Sequence, residues 1–368
     1  MPSRIRIGVV GVGLIAQVMH LHHLRELSDE FDISAICDLS AENAATQARA
    51  FGVKAVFTEW RELLKAPLDA VLILTSGNHA EIGVAAAKAG LHVLVEKPMC
   101  FSAAEAAEMV AAAASAGVIL MVGYPKRYDP AFARFRDEVA NVQSPRMMRV
   151  TTFESALAPY VGHYSLARAV PAPSEVLAEQ INSDDTSVER AIGDSDPFLK
   201  KMYQGVLLDT LVHEINTVRG VLGEPDLIEW VDLREDVVTV MLRFGTLPVA
   251  IHWVEISSVS RYRMEFALIG KDRHVTLTFP SPFLRNEPTL LEIESGDPGT
   301  TRSWTTAETT SYESAFKLEL REFHRAITTD TPPLTPGEDG LRDIAICQAI
   351  IQCFRSRQPV EDPARLYT

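Results

Sequence analysis

Short apolar runs alternate with amphipathic stretches through the first third of the chain. The apolar runs predict buried strands at residues 5–10, 33–37, 69–75, 92–96 and 118–122. The amphipathic stretches predict helices at residues 15–27, 42–51, 61–65, 80–89 and 103–116. Strands that are apolar throughout and alternate with helices are typical of an α/β fold with a doubly wound parallel sheet.

Beyond residue 125 the pattern changes. A predicted helix at residues 131–140 leads into an alternating strand at 147–154, and later helices are predicted at 207–222, 311–328 and within 334–354. Six further strand-like runs follow at residues 226–233, 237–244, 249–255, 263–269, 274–279 and 290–294. Several of these runs are separated by turn signals, which indicates a sheet that is mostly antiparallel.

The chain is therefore expected to form two domains, because 368 residues exceed one ordinary hydrophobic core. The first covers residues 1–124, and the second, an α+β domain with the large sheet, covers residues 125–368. One face of the second sheet should pack on helices. The other face is apolar enough to predict contact with another copy of the chain, in a homodimer or homotetramer.

A long polar connection interrupts the second domain at residues 156–204. It contains several prolines and a helix predicted at residues 174–181. So long a connection inside a compact domain is usually functional or disordered. We expect a lid over the substrate, in which Tyr160, His163 and Tyr164 face the ligand. An ordered surface excursion without a ligand is the alternative.

Composition excludes several classes of partner. The net charge is −14, and no basic patch is evident, which argues against binding to nucleic acid or anionic lipid. No apolar run approaches the roughly 18 residues that span a bilayer, and the N-terminus lacks a signal-peptide pattern. The scattered cysteines Cys37, Cys100, Cys347 and Cys353 predict reduced thiols in a cytoplasmic protein and no metal site.

The first strand runs into a glycine motif. Gly11, Gly13 and Ala16 fit G-x-G-x-x-G/A, in which the glycines allow a tight turn and a close approach to a pyrophosphate. Leu14 and Ile15 open the next helix, whose free N–H groups point to the phosphates. Because the motif follows a strand and opens a helix, it favours a Rossmann dinucleotide site over a glycine-rich turn without a ligand.

An acid ends the second strand. Asp38 lies 25 residues after Gly13, where a carboxylate can accept a hydrogen bond from a ribose 2′-hydroxyl and would repel a 2′-phosphate. Leu39 and Ser40 follow, and no arginine lies in this turn. The sequence therefore predicts NAD as the cofactor, with NADP as the weaker alternative. Asp38 could instead be an acid at a helix N-terminus, a position for which Ser40 competes.

Two further turns share the same edge of the sheet, because the carboxyl ends of parallel strands meet there. Thr75, Ser76 and His79 follow the strand at residues 69–75, while Glu96 and Lys97 end the strand at 92–96. We expect these side chains to border the cofactor. A surface charge at a strand end is the alternative for Lys97.

The helix predicted at residues 207–222 has an apolar and a polar face. Asp209, His213 and Asn216 share the polar face. On spacing alone this face is solvated, and the acid–histidine pair is worth only about 0.2–0.5 kcal/mol.

Four segments of the chain resemble the glucose–fructose oxidoreductase / inositol dehydrogenase family (Gfo/Idh/MocA). They are residues 11–16, residues 86–98 with their Glu-Lys-Pro ending, residues 123–130, and the D-x-x-x-H pattern at 209–213. The resemblance covers most of the chain. It implies a dehydrogenase that acts on a sugar, a cyclitol or a similar polyol.

The resemblance also implies roles for individual residues. Lys97 would assist at the reacting hydroxyl, His213 would accept its proton, and Asp209 would hold substrate hydroxyls. The polar face with Asp209 and His213 would then line the cleft, and the Lys97–Pro98 bond would be cis. Asn216 stands where the family often has an acid.

Three alternatives remain open on the sequence. Arg127 is a candidate substrate residue in the cleft, but it could equally be a solvated charge. The chain could be a non-catalytic sensor that uses the dinucleotide fold to bind a ligand, since fold does not fix function. The same residues would also serve a ketone reductase that uses NADP.

Overall fold

In the computed structural model, which describes residues 4–167 and 170–365, six parallel strands form the first sheet. The spatial order is β3-β2-β1-β4-β5-β6, which is the doubly wound order that the sequence predicted. The strands are β1 (Ile5–Val10), β2 (Phe31–Cys37), β3 (Ala55–Phe57), β4 (Ala70–Ile73), β5 (His92–Glu96) and β6 (Leu120–Gly123). The short β3 was not predicted, because a run of three residues carries no periodic signal.

Helices cover both faces of this sheet. They are a π-helical turn (Ala16–His20), α1 (Leu21–Glu26), α2 (Ala41–Phe51), α3 (Trp60–Leu63), α4 (Ala80–Lys88) and α5 (Ala103–Ala116). Local chemistry sets their starts: the Ser40 side chain caps α2, and Ser102 and Glu105 form a capping box on α5. The helices therefore begin just after the strand ends and leave the carboxyl edge of the sheet open.

The second sheet has nine strands within the described residues, in the order β14-β13-β12-β11-β7-β10-β9-β8-β15. Only the pair β7–β10 is parallel, so the prediction of a mostly antiparallel sheet is confirmed. The strands are β7 (Met147–Ser155), β8 (Leu227–Leu233), β9 (Val237–Phe244), β10 (Leu247–Ile256), β11 (Arg263–Ile269), β12 (Arg273–Phe279), β13 (Leu290–Gly296), β14 (Ser303–Thr309) and β15 (Val360–Glu361).

The two faces of this sheet differ in their cover. Along β10, Val249, Ile251 and Trp253 are buried toward the helices, while the residues between them point the other way. A row on that other face runs from Trp230, which is 51% exposed, to Met241 and onward across the sheet. The sequence missed β14 because its side chains are almost all exposed and give no alternating pattern.

The remaining helices connect the two sheets. They are α6 (Pro130–Ala140), α7 (Ala158–Val161), α8 (Ser174–Ile192), α9 (Pro197–Met202), a second π-helical segment (Tyr203–Leu211), α10 (Val212–Leu222), α11 (Ala315–Thr329) and α12 (Gly337–Ser356). Leu320 and Phe323 of α11 share a core with β1, and α12 packs against α5 and α10. Among the helices of the described residues, none has the length and apolar content that a membrane crossing needs.

All four cysteines are buried and free, as the sequence predicted. Burial raises the pKa of Cys37 to about 12. Burial also raises the pKa of Cys353, and it raises those of Cys100 and Cys347 well above the ordinary thiol value. These side chains are small core residues, not ligands or crosslinks.

Candidate functional site

The glycine loop after β1 leaves room for a ligand at one glycine and none at the other. Gly11 has a φ of +90°, and a Cβ there would lie 2.7 Å from the backbone nitrogen of Thr75. Only glycine fits such a position. At Gly13, by contrast, no heavy atom of the described residues lies within 4 Å of where a Cβ would be. The open space lies where the sequence analysis expects the pyrophosphate.

Asp38 holds the same loop from the end of β2. Its Oδ2 accepts a hydrogen bond from the Val12 backbone N–H at 3.0 Å, and its Oδ1 accepts one from the Ser40 N–H at 2.9 Å. A carboxylate oxygen can accept a second hydrogen bond, so both can still receive a ribose hydroxyl. The set of Gly11, Gly13, Leu14, Ile15 and Asp38 therefore fits a dinucleotide whose ribose carries no 2′-phosphate.

His79 lies in the protein interior and does not border the open edge of the site. The side chain is buried, and its two ring nitrogens lie 2.8 Å from the Pro98 carbonyl oxygen and 2.7 Å from that of Thr75. The ring thus ties the turn after β4 to the turn after β5. We assign His79 a supporting role, while Thr75 and Ser76 remain candidates for contact through their position at the edge.

Glu96 is also buried, and it has a partner that sequence reasoning missed. Its Oε1 lies 2.7 Å from Nε2 of His20, which belongs to the π-helical turn after the glycine loop. Burial alone would raise the pKa of Glu96, but His20 and Lys97 outweigh burial and hold that pKa below its ordinary value. Glu96 therefore anchors the Lys97 turn to the helix that begins at the loop.

Lys97 joins the two sides of the cleft through its contact with Asp209. The Lys97–Pro98 peptide bond is cis, as the resemblance implied. The Lys97 ammonium donates to Oδ1 of Asp209 at 2.8 Å and to the Asp209 carbonyl oxygen at 2.6 Å. The contact joins the end of β5 to the second π-helical segment, so a residue beside the cofactor edge touches the element that leads to His213.

His213 lies within electrostatic range of Lys97. Burial, followed by the charges of Lys126 and Lys97, holds the pKa of His213 well below its ordinary value. Its ring meets that of Tyr124 edge to face, with 6.2 Å between centroids, and its Nδ1 is buried without a hydrogen-bond partner among the described residues. The imidazole is therefore neutral and can accept a proton.

Three ionisable residues of the cleft were not predicted. Lys126 follows β6 and is 7% exposed, and burial lowers its pKa to about 8. Glu214 accepts a hydrogen bond from Thr152 at 2.5 Å, and burial raises its pKa to about 7. Burial, and then the charge of Asp209, raise the pKa of Glu154. In the sequence, Lys126 is next to Arg127 and Glu214 is next to His213, and both neighbours are predicted site residues. That adjacency was the signal that could have identified Lys126 and Glu214.

Arg127 takes part in a buried polar cluster. Its guanidinium donates to the side-chain and backbone oxygens of Asn216 at 3.2 Å and lies 3.3 Å from Asp339, with only 10% of the side chain exposed. The expectation of a solvated charge is wrong. These contacts all use Nη1, while Nε is buried without a partner among the described residues. Because they tie the guanidinium to α10 and α12, we assign Arg127 a structural role.

The polar face of the predicted helix at residues 207–222 does not exist as one surface. A π-helical segment runs to Leu211, so residues four apart no longer share a face across it. Asp209 has 66% of its side chain exposed, whereas Asn216 is buried. Asn216 donates to Asp339 at 2.8 Å and to Asp343 at 2.7 Å, because α12 covers this side of α10.

The segment at residues 156–204 begins beside the second sheet. The Tyr160 hydroxyl accepts the backbone N–H of Tyr262 at 2.5 Å, near the end of the central strands. His163 is exposed and stacks on Tyr164, with 4.0 Å between ring centroids. The Tyr164 hydroxyl donates to the Phe283 carbonyl at 2.6 Å.

Farther along, the same segment follows the dinucleotide edge. Val170 exchanges two hydrogen bonds with the side chain of Asn43 in α2, at 3.0 and 3.1 Å. In α8, which extends well beyond the predicted residues 174–181, Gln180 donates to the Ser76 carbonyl at 3.0 Å. These contacts place this part of the segment beside the carboxyl edge of the first sheet.

One histidine pair has the spacing of a metal site. Ligand atoms of His22, His23 and Glu26 in α1 lie within 4.8 Å of one another. Glu26 already accepts from both histidines, at 3.1 and 3.2 Å, and its Oε2 lies 3.3 Å from the Lys317 ammonium. Glu26 is thus already bound by two histidines and a lysine, and we assign no metal to the cluster.

Family models match both halves of this architecture. The model of the oxidoreductase family with an NAD-binding Rossmann fold matches residues 5–124, and the model of the family's C-terminal alpha/beta domain matches residues 200–361. The chain belongs to the Gfo/Idh/MocA oxidoreductase family. The family is therefore established, and so is the NAD-binding Rossmann domain.

Individual relatives resemble this Gfo/Idh/MocA chain over nearly its whole length. A myo-inositol 2-dehydrogenase of Thermotoga maritima is 24% identical and covers 97% of the chain and 98% of its own length. A 1,5-anhydro-D-fructose reductase of Ensifer adhaerens is 27% identical over the same shares of the two chains. The structure of a levoglucosan dehydrogenase in complex with NADH superposes with a TM-score of 0.77 at 18% identity, covering 98% and 100% of the two chains. At that identity the likeness shows the fold.

The two glycines of the loop should respond differently to a methyl group. Gly11→Ala is expected to destabilise the protein by about 2 kcal/mol or more, because it combines a positive φ with a backbone collision. Gly13→Ala should leave stability within about 0.5 kcal/mol of the original protein but weaken NAD binding, because the methyl group enters open space. Urea unfolding and NAD titration measure the two effects. Equal losses of stability in both variants would contradict this account of the loop.

The low pKa of His213 predicts how stability depends on pH. In the unfolded chain this histidine takes up a proton near its ordinary pKa of about 6.5, whereas in the folded protein it stays neutral there. Stability from this group is therefore complete above pH 6.5 and is lost progressively as the pH falls below it. Urea unfolding between about pH 5 and pH 8 measures this effect. As the pH falls below 6.5, the free energy of unfolding should decrease less in His213→Gln than in the original protein.

Proposed function

We propose that the chain is an NAD-dependent dehydrogenase that oxidises a secondary alcohol of a sugar, a cyclitol or a related polyol. The observation that carries the proposal is the contact of Lys97 with Asp209, beside a neutral His213, at the same sheet edge as the glycine loop. The names of the inositol, anhydrofructose and levoglucosan enzymes among its relatives support the same substrate class.

The cofactor would be held by the glycine loop and by Asp38. When bound, NAD supplies the hydride acceptor. His213 accepts the hydroxyl proton of the substrate, which a neutral imidazole can do. Lys97 donates a hydrogen bond to the reacting oxygen and stabilises its developing negative charge. Asp209 holds the Lys97 ammonium in place and accepts hydrogen bonds from substrate hydroxyls.

Two alternatives differ in direction and in class. The same residues would serve reduction of a ketone, with His213 returning the proton. A non-catalytic sensor needs a ligand pocket but no proton acceptor beside a lysine, and the presence of Lys97 and His213 together argues against it. Asp38 disfavours a 2′-phosphate, so NAD is preferred to NADP in either direction.

Removal of either catalytic side chain tests the proposal. Lys97→Ala and His213→Ala should each lower turnover by at least about a hundredfold, because each removes a group that acts on the reacting hydroxyl, while NAD affinity stays near that of the original protein. The measurement is absorbance of reduced cofactor across a panel of sugars and inositols. His274→Ala serves as the control, since this exposed histidine of β12 lies outside the proposed site. Near-normal turnover of both catalytic variants would defeat the assignment.

We also propose that the protein works in the cytoplasm as a homodimer or homotetramer that pairs through the open face of the second sheet. Trp230 and Met241 are adjacent on that face, and burying them would remove apolar surface from water. Trp230→Glu should shift sedimentation toward the monomer and leave NAD affinity unchanged. An unchanged sedimentation coefficient, or a monomeric original protein, would overturn this interface.

A further inference from the structure

Lys126 is a buried cation without a partner. The residue is 7% exposed and lies in the tight turn after β6. Among the described residues, its ammonium has no hydrogen-bond acceptor within 3.5 Å and no carboxylate within 4.0 Å. Lysines are rarely buried this completely unless they are paired, because removing the charge from water is costly. The ammonium atom itself is not fully enclosed, so water or a ligand atom in the cleft can serve as its partner.

The groups that face Lys126 come from every side of the cleft. Lys97 and Glu96 approach from β5, Glu154 from β7, Glu214 and His213 from α10, and the buried Glu319 from α11. Lys97 is already satisfied by Asp209, so it does not compete for a new acceptor. The lysine without a partner thus lies beside the proposed reacting position rather than at a distant point of the fold.

An unmatched acceptor lies close to this unmatched donor. Glu214 uses Oε1 to accept from Thr152, while its Oε2 is buried with no hydrogen-bond partner in the described part of the chain. The Lys126 and Glu214 side chains attract each other electrostatically but are not in salt-bridge contact. A gap of this kind between polar groups is usually bridged by water or by a ligand atom.

A hydroxyl group fits that gap better than an anion does. A hydroxyl accepts one hydrogen bond from an ammonium and can donate another to a carboxyl oxygen. An anionic substituent would satisfy Lys126 but would face Glu214, Glu154 and Asp209, which together bring more negative groups than the two lysines balance. The local chemistry therefore favours an uncharged polyhydroxylated substrate over a sugar acid or a sugar phosphate.

We propose that Lys126 is a second substrate-binding lysine, which donates to a hydroxyl of an uncharged polyol at a carbon other than the one that is oxidised. This inference rests on the proposed dehydrogenase function and adds a specificity residue to it. In this role Lys97 acts on the reacting oxygen, and Lys126 fixes which carbon of the ring is presented.

The test compares Lys126→Met with Lys126→Arg on the substrate that the polyol panel identifies. Lys126→Met should lower kcat/KM by about tenfold or more, mainly through KM, because it removes one hydrogen bond from a charged donor. It should also remove an alkaline limb near pH 8 from the kcat/KM profile, since the lysine whose pKa is about 8 is gone. Lys126→Arg should retain part of the affinity, and NAD binding should be unchanged in both variants.

Deoxy analogues of the substrate separate contact from general damage. Each analogue lacks one hydroxyl. The analogue that lacks the contacted hydroxyl should bind the original protein more weakly than the full substrate does. Lys126→Met should bind that analogue and the full substrate equally well. The other analogues should lose equally in both proteins. Equal penalties for every analogue in both proteins would overturn the proposal.

A purely structural role predicts a different result. If Lys126 only offsets the charge of Glu214, the double variant Lys126→Met with Glu214→Gln should regain the original kcat/KM, and that outcome would overturn the proposal. Persistent loss in the double variant supports it. Should Lys126→Met fail to fold, the same analogue series is measured on Lys126→Arg.

Failure of the proposed function would look different. In that case the original protein would reduce no NAD with any polyol of the panel. Polyol binding to the enzyme–NADH complex, followed by NADH fluorescence, then tests Lys126 without turnover: weaker binding by Lys126→Met supports the inference, and equal binding, or no binding by the original protein, overturns it.

Discussion

The ion pair between Lys97 and Asp209 connects the carboxyl edge of the first sheet to the helical segment that leads to His213, and the geometry of the cleft depends on it. Lys97 is fixed by the first sheet, through β5 and the buried Glu96–His20 pair. Asp209 belongs to the π-helical segment that leads to His213. Because Asp209 is largely exposed, the pair contributes little to stability. Its effect is on position, since it holds the Lys97 ammonium between the end of β5 and the segment that leads to His213.

A buried polar cluster keeps the opposite wall in place. Asn216 and Arg219 of α10 bond to Asp339 and Asp343 of α12, with Arg219 only 2.6 Å from Asp343, and Arg127 joins from the turn after β6. Buried ion pairs contribute little net stability but define geometry, because breaking one leaves a charge without a partner. The cluster thus sets how α10, and with it His213, faces the end of the first sheet.

The sequence predicted what depends on local patterns. The continuous apolar runs predicted the strands of the first sheet. The glycine at position 11 and the position of Asp38 predicted the dinucleotide loop. It could not predict what depends on packing between distant segments. Arg127 was misjudged because its partners come from α10 and α12, far along the chain. The helix face at Asn216 was misjudged because a π-helical segment breaks the 3.6-residue period and α12 covers the supposed polar side.

The four buried cysteines have a consequence for how the cell can influence this protein. Oxidants and electrophiles react with thiolates, and burial keeps all four groups protonated and out of reach. Peroxide and disulfide stress therefore have no thiol to act on in the folded chain. An oxidoreductase with an NAD-binding domain is thus protected, at its cysteines, from the oxidants of the cell.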